Sequence, residues 1–106
     1  VNEKYQPAFH QMPESIKALL RAAVKDIHPR EIILFGSRAR GTHRENSDFD
    51  ICFKDADSNP VDRAKFKLRA EEESITLHKV DLVFFEELGE DYLQNIKGEG
   101  KLLYGA

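Results

Sequence analysis

Residues 32–53 read IILFGSRARGTHRENSDFDICF, and the way this stretch divides decides the fold. Ile32-Ile33-Leu34-Phe35 is an apolar run too short for an independent helix and rich in strand formers, which predicts a buried strand. Gly36-Ser37 ends it. Glycine turns where a Cβ would clash and leaves the following amides uncovered, so a small anion can come close to the main chain. If Ser37 to Arg40 opens one or two helical turns, their unpaired N–H groups point the same way and form a phosphate seat. A polar loop, Gly41 to Ser47, leads to a second predicted strand, Asp48 to Phe53. Strand side chains alternate, so Asp48 and Asp50 share one face while Phe49, Ile51 and Phe53 share the other and turn inward.

Carboxylates two residues apart on a strand have Cα atoms roughly 6.5 to 7 Å apart. Their oxygens can converge to about 5 Å, where at an effective dielectric near 20 the pair repels by about 3 kcal/mol. A proton or a cation relieves a cost of that size. An oxygen-only cluster beside a phosphate seat suits a hard cation, Mg2+ or Mn2+. Asp-x-Asp alone is a common accident on exposed strand ends. Its pairing with a strand-Gly-Ser-helix unit, and with a third aspartate further on, gives it weight.

At 106 residues, with 41% hydrophobic and 33% charged side chains, the chain reads as one domain with a modest core. A net charge of -3 excludes a general nucleic-acid coat protein. Positive charge is local, with Arg30, Arg38, Arg40 and Arg44 bracketing the Gly-Ser turn. The one cysteine, Cys52, excludes an internal disulfide framework and predicts a reducing, cytoplasmic setting. No apolar run is long enough to span a membrane, and no signal peptide is expected.

Outward from the central stretch, residues 1–12 show no period and are expected to be a poorly ordered or partner-docked lead, with the domain proper at 13–106. From Glu14 to Ile27 the apolar positions Ile16, Leu19, Leu20, Ala23, Val24 and Ile27 recur at three and four, the stripe of an amphipathic helix. His28-Pro29 ends it. Asn59-Pro60 begins another helix running into Glu71-Glu72-Glu73, with Val61, Ala64, Leu68 and Ile75 as its expected inner face and the glutamates as solvated charge. Val80 to Phe85 is a third strand whose one charged residue, Asp81, is costly to bury unless paired or ligated. Leu88 to Lys97 is expected to form a short helix closed by Gly98. The tail Lys101-Leu102-Leu103-Tyr104 is apolar enough to lie back on the fold or to meet a partner.

Gly36-Ser37, ten intervening residues, Asp48-Phe49-Asp50 and a later Asp81 between apolar neighbours resemble the active-site pattern of the DNA polymerase β-like nucleotidyltransferase superfamily. More narrowly, GSRARG followed by SDFDI in so short a chain is similar to the minimal nucleotidyltransferases. That resemblance implies an α/β (α+β) single domain, a mixed β-sheet flanked by helices. It implies that Gly36 and Ser37 hold the β- and γ-phosphates of a nucleoside triphosphate, ATP above others, with Arg38 and Arg40 as candidates to neutralise the leaving group. Asp48 and Asp50 become ligands of two Mg2+ ions, with Mn2+ as a substitute. Asp81 becomes the third carboxylate, holding the catalytic metal and assisting deprotonation of an acceptor hydroxyl.

Larger members of the superfamily carry a helical domain that closes over the nucleotide. Here the missing wall is expected from another chain or a second copy, as a hetero-oligomer or homo-oligomer. The resemblance implies a helical HEPN-type partner, the pair acting as toxin and antitoxin, with AMP transferred to a partner tyrosine. Two other readings compete. One is a nucleotide-binding module that neutralises a partner without turnover, which has no need of three converging acids. The other is a small-molecule transferase whose acceptor domain lies on another chain. No basic groove or aromatic ladder points to direct nucleic-acid binding. The histidines His10, His28, His43 and His78 lack zinc spacing, although His43 sits in the active-site loop. Cys52 reads as core filler.

Overall fold

The alternation in residues 49–54 builds a sheet with two unlike faces. In the computed structural model, which describes residues 4–73 and 78–105, β1 (Glu31–Phe35) pairs antiparallel with β2 (Phe49–Lys54), and β2 runs parallel to β3 (Val80–Phe84). The tail adds β4 (Lys101–Tyr104), antiparallel to β1, so the mixed sheet has the order β3-β2-β1-β4. A parallel pair needs a crossover, and α4 (Pro60–Glu73) lies between β2 and β3 in the chain.

One face carries Ile32, Leu34, Phe49, Ile51, Phe53, Leu82 and Phe84, all buried. It packs against α2 (Glu14–Asp26) through Ile16, Leu20 and Ala23, and against α4 through Phe66 and Ala70. Phe53 meets Phe66 edge-on at 6.1 Å and Phe84 in a tilted pair at 5.7 Å, contacts that add to plain burial. The opposite face is thinner. There Phe35 and Cys52 are covered by Ile96 of α5 (Glu90–Glu99), with Ile33, Val83 and Leu88 at the margin. Cys52 is core filler, its thiol pushed by burial up to about 12.

Several expectations need correction. The inner face of α4 is not Val61, Ala64 and Leu68, since Val61 is 61% and Leu68 60% exposed. At 3.6 residues per turn that stripe and the Phe66/Ala70 stripe lie on roughly opposite sides, and the aromatic stripe buries more surface. Ile75, assigned to the same face, lies outside the described residues. Arg63 supports the buried stripe by donating to the carbonyls of Ser58 and Ala56 at 3.1 and 3.3 Å.

Helix α5 runs through Gly98 and stops at Gly100. A Cβ at Gly100 would strike the Ile96 carbonyl oxygen of the last helical turn and come within 2.6 Å of Ile33 Cγ2, so both the helix end and β1 require glycine there. The lead is not loose over its described part. Gln6 N–H donates to Leu103 O at 2.9 Å, Tyr5 bridges Tyr104, and α1 (Pro7–His10) buries Phe9 in the main core. Among the described residues no helix is long and apolar enough to cross a membrane.

Candidate active site

The thin face of the sheet runs out of apolar cover where β1 ends and β2 and β3 begin. Phe35, Asp50 and Asp81 stand in register across three adjacent strands, Phe35 opposite Asp50 and Asp50 beside Asp81. Both carboxylates are part-exposed on this shelf, while Phe49, Ile51, Val80 and Leu82 anchor their strands from the other side. Strand β2 begins one residue later than expected, at Phe49, whose N–H donates to Lys79 O at 2.9 Å. Asp48 precedes it, exposed at the end of the loop.

Immediately past β1, Gly36 takes φ +76° and caps the four-residue helix α3 (Ser37–Arg40). Two constraints demand glycine here. The backbone lies where side chains are disfavoured, and a Cβ would strike the Asp50 carboxylate. The turn after β1 and the acid on β2 are therefore in direct apposition. Ala39 and Arg40 both donate to Gly36 O at 3.1 Å, closing the first turn. The amides of Ser37 and Arg38, first in the helix, have no intrahelical acceptor and are suited to an anion.

Asp50 registers this environment. Burial first, then the charges of Asp81 and Asp48, push its carboxyl up to about 6, and Arg40 pulls the other way. The order refines the sequence reading, which set Asp48 against Asp50 as the repelling pair. Asp81 across the strands outranks Asp48 along the chain. Among the described residues no Lys, Arg or His stands within ion-pair distance of Asp81, so the alternative of a simple salt bridge is not realised.

Among the described residues no three His, Cys, Asp or Glu side chains enclose a metal by themselves. The donor set still fits Mg2+. The cation keeps water and substrate phosphate in its shell and takes only one or two carboxylates from the protein, so an open row of mutually repelling acids suits it better than a closed cage.

The arginines part company. Arg38 turns its guanidinium onto the 41–47 loop, with Nε donating to Ser47 O at 3.0 Å and one Nη to Glu45 O at 2.9 Å. Its guanidinium carbon also lies over the Phe49 ring, 3.9 Å from the centroid. Arg40 stays near Asp50 and pairs with Glu99 of α5 at 2.8 Å. Glu99 had no signal in the sequence, because 59 residues separate it from Arg40. Tyr92 of α5, 50% exposed, stands edge-on to Phe35 at 6.4 Å beside the same shelf. His43 is exposed in the loop, and His78 packs edge-on against Phe49 at 5.4 Å.

Residues 14–106 match the family model described as polymerase beta, nucleotidyltransferase. A chain from a toxin–antitoxin structure with AMP-PNP is 29% identical, with a TM-score of 0.64, over 87% of this chain and 72% of that one. A chain from the complex of tri-AMPylated Shewanella oneidensis HEPN toxin with MNT antitoxin is 25% identical, with a TM-score of 0.57, over 86% and 67%. A candidate minimal nucleotidyltransferase is also 25% identical, with a TM-score of 0.60, over 88% and 93%. No curated protein matches.

Proposed function

The chain belongs to the polymerase beta nucleotidyltransferase family and is a nucleotidyltransferase, and from that premise we propose that it transfers AMP from ATP to a tyrosine hydroxyl of a HEPN-type partner, as the antitoxin of a toxin–antitoxin pair. The observation that carries the reading is the apposition of Gly36 to Asp50, with Asp81 beside it, which supports a phosphate seat facing the acids. Chains of similar fold in a complex with AMP-PNP and in a complex with an AMPylated HEPN toxin support the choice of nucleotide and partner.

In this reading the amides after Gly36 and the Ser37 hydroxyl hold the β- and γ-phosphates. Asp48, Asp50 and Asp81 would hold the Mg2+ ions. When bound, divalent ions supply Lewis-acid stabilisation of charge on the attacking and leaving oxygens of an in-line displacement. The acceptor oxygen forms a bond to the α-phosphorus and the bond to the bridging oxygen breaks. Pyrophosphate leaves with that electron pair, and Asp81 receives the hydroxyl proton. Arg40, half-exposed beside Asp50, offsets charge on the departing pyrophosphate. The exposed shelf leaves room for the acceptor to come from another chain, and a cytoplasmic setting suits both ATP and the reduced Cys52.

Intact-mass spectrometry of the cognate partner after incubation with this chain, ATP and Mg2+ tests the proposal. The expected result is one or more added AMP groups, abolished by Asp48→Ala. A partner of unchanged mass in the wild-type reaction overturns it.

A further inference from the structure

We infer that the Arg38 side chain is a positioning group that clamps the 41–47 loop and thereby seats Asp48, and that its guanidinium is not a ligand of the triphosphate. The inference rests on the nucleotidyltransferase reading of the site and deepens it.

A cation one residue past the Gly-Ser turn is expected to reach for phosphate. Arg38 has instead turned its fork away, toward the far end of the loop. Nε donates to Ser47 O at 3.0 Å, and one Nη donates to Glu45 O at 2.9 Å and to Arg44 O at 3.5 Å. These carbonyls belong to a segment that closes on itself, with Ser47 N–H donating to Arg44 O at 3.0 Å and Arg44 N–H to Ser47 Oγ at 2.9 Å. The guanidinium carbon sits over the Phe49 ring, 3.9 Å from its centroid, and Phe49 is fully buried in the main core. One side chain thus ties α3, the closed turn 44–47 and the first core residue of β2 together.

Asp48 lies between the two points of attachment, Ser47 and Phe49. It is exposed and outside the strand, so pairing in β2 does not fix its backbone as it does that of Asp50. The Arg38 clamp supplies that restraint. Because the amide of Arg38 also belongs to the proposed phosphate seat, the same residue sets the distance between seat and acid. Planarity matters, since only a guanidinium can donate in a fork and stack on a ring at once, and lysine does neither. Arg40, held by one ion pair to Glu99, is left as the arginine that meets phosphate.

The test compares wild type, Arg38→Ala and Arg38→Lys in two measurements. In amide hydrogen exchange on the nucleotide-free chain, both variants are expected to exchange about tenfold faster at Arg44 and Ser47 with Ile33 and Ile51 unchanged. In transfer to the partner, kcat is expected to fall about 100-fold, the cost of a small misplacement of a reacting group. The KM for ATP should stay within about threefold. The Mg2+ concentration for half-maximal rate should rise about tenfold, as when a ligand loses its support. Unchanged exchange at Arg44 and Ser47 overturns the clamp. So does a raised KM for ATP that Arg38→Lys restores, which is the signature of a phosphate ligand. If wild type transfers nothing, the proposed function falls, and the exchange comparison still decides the clamp.

Discussion

The two faces of β2 divide the labour of the protein. On one, Phe49, Ile51 and Phe53 are sealed beneath α2 and α4, in a core that also takes in Phe9 and Leu103 from the two ends of the chain. On the other, a small cluster of Phe35, Cys52 and Ile96 covers half the strand and then gives way to Asp50 and Asp81. The acids are costly where they stand, and the deep packing behind them is what keeps them there. A strand with period two can serve stability and chemistry at once because its neighbouring residues face opposite environments.

Substitutions that hit one face and spare the other break this comparison most sharply. Asp50→Asn is expected to lower the transfer rate on the order of 10⁴-fold, about 5 kcal/mol, with no loss of folded structure. Steady-state kinetics alongside circular dichroism check both halves. On the sealed face, Phe53→Ala removes a fully buried ring with two aromatic neighbours, and denaturant titration should show a loss of about 3 to 5 kcal/mol. Ile96→Ala, on the thin face, should cost about 2 kcal/mol, since a cluster open at its margin relaxes around the cavity.

A smaller effect sharpens the contrast by its sign. Burial and two acidic neighbours raise the Asp50 carboxyl to about 6, well above its value in an unfolded chain. The folded state therefore binds the proton more tightly than the unfolded one, and this group adds stability as pH falls through about 6 toward the ordinary carboxylate range. Asp50→Asn removes the penalty. It should stabilise the metal-free protein by about 1 kcal/mol at pH 7.5, after allowance for solvent screening, and by nothing near pH 4. Melting curves across that range check it, and a variant less stable than wild type at pH 7.5 contradicts the assignment. The smallest effect belongs to α4, where Val61→Gln and Leu68→Gln should each stay within about 0.5 kcal/mol because both side chains are already in solvent.

The β1-turn-β2 unit was legible because its signals are local. An apolar run, a Gly-Ser break and an alternating Asp-Phe-Asp-Ile each act within a few residues, and the structure places Asp50 against Gly36. What depends on distant contact was not legible. Helix α4 carries two apolar stripes of equal periodicity, and only the sheet beneath decides that Phe66 and Ala70 face it. The tail was ambiguous until β1 offered it an edge. Gly98 and Gly100 are alike as sequence stop signals, and only the Ile96 carbonyl and Ile33 packed at Gly100 decide which glycine has no room for a Cβ. Arg38 and Arg40 sit two residues apart in one motif, yet one reaches loop carbonyls and the other Glu99. Spacing along a chain gives no hint of such a split.

Crystals grown with Mn2+ and a non-hydrolysable ATP analogue, measured for anomalous scattering from manganese, put the acid row to the most direct test. The expected map has manganese within bonding distance of Asp48 and Asp50, Asp81 beside it, and the terminal phosphates on the amides of Ser37 and Arg38. Manganese bound away from these aspartates, or phosphates seated anywhere but the turn after Gly36, contradicts the site.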